Sequence, residues 1–125
     1  MKNFTRLLAG EPPLIRGDGR QTLDYIYVDD VVTLTIEAMV RPLSDRVINI
    51  CSGQPVDIIE LTEIMRSVAG SDHMPVHDEP DSTHASQRVG DPALMDRLLG
   101  RKARVPLKEG LARTYEWMKS ERIGA

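Results

Sequence analysis

Histidine and carboxylate side chains crowd one stretch of this chain: "HMPVHDEPDSTH", residues 73–84, follows Asp72 and contains Asp78 and Asp81. Imidazoles and carboxylates are suitable metal ligands, but ligation requires a spacing that aims them at one point. Pro75 and Pro80 break any such spacing, so these groups read as solvated loop residues and no metal site is expected. A second candidate is "YEWMK", Tyr115 to Lys119. At i and i+4 on a helix the ammonium can approach the phenol and lower its pKa, which would make the tyrosine an acid–base group. The pair lies at the end of the chain with no cofactor-binding fingerprint before it, and Tyr115 is read as helix packing. The third candidate is "GDG", residues 17–19. Glycine-rich turns hold phosphates when a helix N-terminus follows. Here an alternating segment follows instead, so the turn is read as structural. No catalytic residue is assigned.

The elements that would position these groups can be traced along the chain. Residues 3–9 read as a short helix stopped by Gly10 and the Pro12-Pro13 pair. "PLIRG" and "LDYIYV" read as strands on either side of the glycine turn. Asp29 or Asp30 is placed to cap "VVTLTIEAMV", a helix ending before Pro42. "RVINI", residues 46–50, reads as a buried strand because of its β-branched run, and "CSGQP" as a turn. "VDIIELTEIMRSVAG" carries the clearest helical signal. Asp57 and Glu60 form an N-terminal capping pair, Gly70 ends it, and Ile58, Leu61, Ile64, Met65 and Val68 make its core face. "MPVH" reads as a short strand and residues 78–90 as a long loop. A short helix through "ALMDRLLG" and a last one from Leu107 to about Ile123 complete the set. The helix at 30–40 is apolar nearly all the way round, and such a helix needs neighbours on more than one side.

Composition narrows the classes. The chain has 125 residues, 41% apolar and 28% charged, with a net charge of −3. These values fit one soluble globular domain over residues 1–125. Thirteen acids and four arginines occupy Asp24 to Asp91, whereas eight bases and three acids occupy Arg97 to Arg122. The basic end lacks interleaved aromatics apart from Tyr115 and Trp117, so no nucleic-acid partner is expected. One cysteine, Cys51, excludes an internal disulfide and suits a reducing cytoplasm. No stretch approaches the span of a bilayer, so no membrane partner is expected.

Taken in order, "GDGRQTLDYIYVDDVV", "RVINICSGQPVDIIELTEIM", "QRVGD" and "LLGRKARVPLKEGLARTYEWMK" resemble the C-terminal half of extended short-chain dehydrogenases. These are the NAD-dependent nucleotide-sugar epimerases and dehydratases. The resemblance covers nearly the whole chain and implies a small mixed α/β fold. That fold would be the substrate-binding portion of such an enzyme, without its Rossmann domain. It further implies that the strand before the glycine turn lends backbone groups to the base, which places Leu14 and Arg16 there. The arginine and aspartate of the R-x-G-D motif, here Arg88 and Asp91, would meet the diphosphate and the ribose. The ligand implied is a UDP- or dTDP-sugar.

Two departures follow from the same resemblance. Leu23 stands where the family has a second diphosphate-binding arginine, which leaves Arg88 as the main charge-assisted contact. The family's amino-terminal half, with its NAD fingerprint and catalytic tyrosine, has no counterpart in these residues. The expectation is therefore a chain that binds substrate, holds no NAD and does not catalyse alone. The alternative is a non-catalytic small-molecule-binding or self-associating module. Under either, the all-round apolar helix predicts a homodimer or higher oligomer through Val31–Val40.

Overall fold

The computed structural model describes residues 2–80 and 87–123. Its elements run α1 (Lys2–Leu8), β1 (Leu14–Arg16), β2 (Thr22–Asp24), α2 (Val28–Met39), β3 (Pro55–Asp57), α3 (Ile58–Ala69), β4 (Val76–Asp78), β5 (Gln87–Arg88), α4 (Ala93–Leu99) and α5 (Leu107–Ile123). The result is a small mixed α/β fold, as the resemblance implied. One sheet pairs β1 with β4 in parallel. The other has the order β3-β2-β5, with β2 antiparallel to β3 and parallel to β5.

Two apolar clusters hold the elements together. Phe4 and Leu7 of α1 bury against Met65 of α3, and Leu111, Tyr115 and Met118 of α5 close the group. Leu34 of α2 buries against Met95 and Leu99 of α4, flanked by Ile48 and Ile50. Helix α3 is the most fully specified element. The Asp57 carboxylate accepts from the Glu60 amide at 2.7 Å, and Gly70 ends the helix in the left-handed region at φ 62°. One end of the glycine turn is packed. Gly19 has φ +77°, and a Cβ there would lie 2.8 Å from Ile59 and 3.0 Å from Ile15. The Gly19 carbonyl meanwhile accepts from the Ile58 amide that opens α3.

Three local expectations are corrected. The strand expected over "LDYIYV" stops at Asp24, and α2 begins at Val28 with Tyr27 as its N-cap and no side-chain cap. The capping role expected of Asp29 or Asp30 fails because the Asp30 carboxylate is committed elsewhere. It accepts from the Arg104 and Val105 amides at 2.9 and 2.8 Å, tying the α4–α5 connection to α2. Residues 46–50 form no strand: none of them makes a backbone–backbone hydrogen bond among the described residues, and Val47 is 90% exposed. Their burial still alternates, with Ile48 and Ile50 turned inward and Val47 and Asn49 outward. The strand pattern is present, but among the described residues no strand pairs with it. The expected loop at 78–90 is bounded by strand residues, Asp78 of β4 and Gln87–Arg88 of β5, while residues 81–86 lie outside the described part.

Candidate functional site

Strand β1 forms one wall of an open cavity of about 590 Å³, whose far wall is α1 and whose floor is α3. Leu14 and Arg16, two residues apart on one strand, both face it, as period-two alternation requires. Lys2, Asn3 and Arg6 line it from α1, Gln21 from the turn, and Ile58, Leu61 and Met65 from α3. Among the described residues no carboxylate lines it. Arg6 is held in place by its Nε–H to the Pro12 carbonyl at 2.7 Å and by Glu11 at 3.3 Å.

Three even-numbered backbone groups of β1 are already engaged by side chains. The Asn3 amide donates to the Leu14 carbonyl at 3.1 Å and accepts from the Leu14 N–H at 3.0 Å. Gln21 is buried, and its Nε2 donates to the Arg16 carbonyl at 3.2 Å. Its Oε1 is buried with no partner among the described residues.

Arg88 lies on β5 of the other sheet and Asp91 in the connection that follows it, and neither lines this cavity. Arg88 is the register partner of Leu23 across the parallel β2–β5 pair. Its exposed side chain therefore stands next to the position where the resemblance expects a second arginine. Asp91 is exposed, and its Oδ1 accepts from the Ala93 amide at 2.9 Å at the start of α4. The four assigned residues thus divide into two pairs, Leu14 with Arg16 and Arg88 with Asp91, linked through β2.

What fixes the second pair was missed in the sequence. The Asp24 carboxylate accepts from the Ser52 amide at 3.0 Å, the Ser52 hydroxyl at 2.6 Å and the Gly53 amide at 2.8 Å. Burial alone would raise its pKa. The Ser52 hydroxyl and the Gly53, Ser52 and Gly90 amides outweigh that and hold it below the ordinary carboxylate value. Gly90, two residues after Arg88, packs so closely that a Cβ would lie 2.6 Å from the Cys51 sulfur. Burial, then the Asp24 charge, pushes the Cys51 thiol up, which leaves it a packing group rather than a nucleophile. The sequence signal was available: a strand-ending aspartate paired with a Cys-Ser-Gly turn and a Gly-Asp.

The other candidates resolve into packing. Tyr115 stacks on Phe4 with ring centroids 5.1 Å apart, and the Lys119 ammonium lies 5.8 Å over the Tyr115 ring. His77 contacts the Gly17 carbonyl through Nδ1 at 2.8 Å, which ties β4 to the glycine turn. Among the described residues no group of three or more metal-ligating side chains converges. His84 and Asp81 are outside the described part.

Comparison with known proteins agrees with this architecture. The model of the NAD dependent epimerase/dehydratase family matches residues 2–51. The crystal structure of the Thermotoga maritima UDP-glucose 4-epimerase with UDP-glucose superposes on 97% of this chain with a TM-score of 0.90 and 31% identity. Nearly the whole chain is similar to the carboxy-terminal part of NAD-dependent epimerase/dehydratase proteins. It corresponds to the carboxy-terminal part of these enzymes and accounts for 39% of the Thermotoga chain. The Bacillus cereus UDP-glucuronic acid 4-epimerase, solved with UDP-glucuronic acid and NAD, superposes with a TM-score of 0.84 at 26% identity, over 95% of this chain and 40% of that one. The UDP-glucose 4-epimerase of Mycolicibacterium smegmatis is 30% identical over 115 residues, 92% of this chain and 37% of the relative. The chain therefore spans a little over a third of the length of the relatives it matches.

The family's cofactor finds no fitting cradle among the described residues. In the Gly17–Gly19 turn, Gly19 packs on Ile15 and Ile59, and the turn leads into strand β2. No helix N-terminus therefore follows it to take a pyrophosphate. No helix is long and apolar enough to cross a membrane among the described residues.

Proposed function

We propose that these residues form the nucleotide-gripping part of a nucleotide-sugar epimerase or dehydratase, with a UDP- or dTDP-sugar as ligand. The observation that carries the reading is the close superposition on an enzyme solved with UDP-glucose. The base would rest along β1 at Leu14 and Arg16, and the diphosphate would take the planar, bidentate guanidinium of Arg88. Asp91 would accept from ribose hydroxyls. The cavity cations Lys2, Arg6 and Arg16 add a field of the right sign for an anionic ligand. The hydride chemistry of the family belongs to NAD, and no step of it is assigned to residues of this chain. Isothermal titration with UDP-glucose tests the proposal. Binding in the high-micromolar range is expected, weakened roughly tenfold or more by Arg88→Ala, as loss of a hydrogen bond to a charged group predicts. Affinity unchanged by Arg88→Ala would overturn the placement of the diphosphate.

A second reading, self-association, is favoured by the outer face of α2. Val28, Val32, Ile36, Met39 and Val40 recur at helical spacing and are each 51–78% exposed. Trp117, 55% exposed, shares a groove with Val28 and extends the stripe onto α5. These six side chains form an exposed apolar stripe of the kind that is normally covered by a partner. A second copy of the chain, related by a two-fold axis, is the proposed occupant.

A further inference from the structure

The contact between Asn3 and Leu14 has the form of a base contact. A carboxamide presents an N–H and a C=O side by side, the same pair that the lactam edge of uracil, thymine or guanine presents. Asn3 uses both on the two backbone groups of Leu14, at 3.1 and 3.0 Å. The opposite edge of β1 is occupied by β4: Val76 donates to the Pro13 carbonyl at 2.9 Å and Gly17 to the Asp78 carbonyl at 3.0 Å. The edge facing α1 is thus the one on which a base could lie, and Asn3 already lies on it.

We infer that the Asn3 carboxamide is a built-in surrogate for a nucleobase, and that a nucleotide binds along β1 by displacing it. The inference rests on the nucleotide reading above. Three further observations carry it. Asn3 sits on the wall of a cavity of about 590 Å³, within the size range of small-molecule sites. The neighbouring group of the same edge, the Arg16 carbonyl, is also covered by a side-chain amide, Gln21. Gln21 is 7% exposed and shares the cavity lining with Asn3, so the two amide-covered stations of this edge front the same space.

The exchange conserves hydrogen bonds. Asn3 swings to solvent at the exposed end of α1, and the base N–H and C=O take over the Leu14 pair. Affinity is then reduced by the fraction of molecules in which Asn3 occupies the edge, and removing the carboxamide lifts that penalty. Two hydrogen bonds between neutral groups set the size of the effect, roughly a tenfold gain in affinity. A phosphate-only ligand would not feel it.

UDP and inorganic pyrophosphate serve as probes in titrations of the 125-residue chain and its Asn3→Ala variant, with folding checked by circular dichroism. The expected result is UDP bound several-fold to tenfold tighter by the variant, with pyrophosphate affinity unchanged. In nitrogen-15 spectra of the unsubstituted chain, the Asn3 side-chain NH₂ pair should move toward the position of a solvent-exposed asparagine as UDP saturates. The spectra also decide the matter if the variant fails to fold. An Asn3→Ala variant that binds UDP equally or more weakly, or an Asn3 NH₂ pair unmoved at UDP saturation, overturns the inference and leaves the nucleotide reading standing. Absence of UDP binding to either protein at millimolar concentration removes both.

Discussion

A single carboxylate, Asp24, joins three segments distant in sequence: the end of β2, the Ser52–Gly53 turn and Gly90 beside Arg88. Replacing it by asparagine keeps one acceptor oxygen but turns the other position into a donor facing backbone amides. Asp24→Asn should therefore lose about 2 kcal/mol of stability at pH 7 in urea unfolding, the scale of hydrogen bonds to a charged group. The pH dependence has a definite sign. Because the native pKa lies below the unfolded value, the contribution is whole above the ordinary carboxylate range near 4. It is lost as pH falls through the lowered native pKa, so the gap between the two proteins should close toward pH 2. A gap independent of pH would mean that Asp24 acts through shape alone. The sequence carries the parts of this contact but not their meeting, because its partners, Ser52–Gly53 and Gly90, come from two segments distant from Asp24. Arg88 and Asp91 stood out through their motif, yet the division of the site between two sheets became visible only with strand order.

Elements whose signals are local were read correctly. Helix α3 declares itself through Asp57, Gly70 and the spacing of Leu61, Met65 and Val68, all within one turn of the bonds they make. Failures occurred where a distant partner decides. Asp30 would cap its helix in isolation, but two amides from the α4–α5 connection claim its carboxylate. The run at 46–50 has the composition of a strand without a neighbouring edge. One residue of α3 departs from its own pattern: Thr62 is fully buried and its hydroxyl has no partner among the described residues. Thr62→Val keeps the shape and removes a desolvated hydroxyl, so it should raise stability by about 1 kcal/mol. A rise of several degrees in Tm is the expected readout. A loss of stability would indicate an unseen hydrogen bond at that hydroxyl.

For the molecule as a whole, the outer face of α2 is the decisive surface. Of the residues expected in an interface, Leu34 is 2% exposed and belongs to the core with Met95 and Leu99, so an acid there would unfold the domain. Ile36 and Met39 face outward and can be changed without entering that core. The proposed two-fold association predicts a dimer of about twice 14.0 kDa in light scattering at high micromolar concentration. Met39→Asp should convert it to a folded monomer with an unchanged circular dichroism spectrum. A monodisperse monomer before substitution would exclude the second copy as occupant. The sequence located this helix because its apolar residues run round the full circumference. It did not identify which of them the domain consumes, since that depends on where α4 docks.

The unpaired run at 46–50 also bears on how the protein behaves when concentrated. A β-branched segment whose amides and carbonyls make no backbone hydrogen bond among the described residues is a template on which another such segment can grow in register, and repetition of that step yields fibres rather than closed pairs. Pro42, Asp45 and Arg46 stand just before Val47 and act as gatekeepers against that growth, a proline that cannot join the ladder and charges that dislike being stacked. Shelf life would then be governed by Val47, the most exposed large apolar side chain among the described residues.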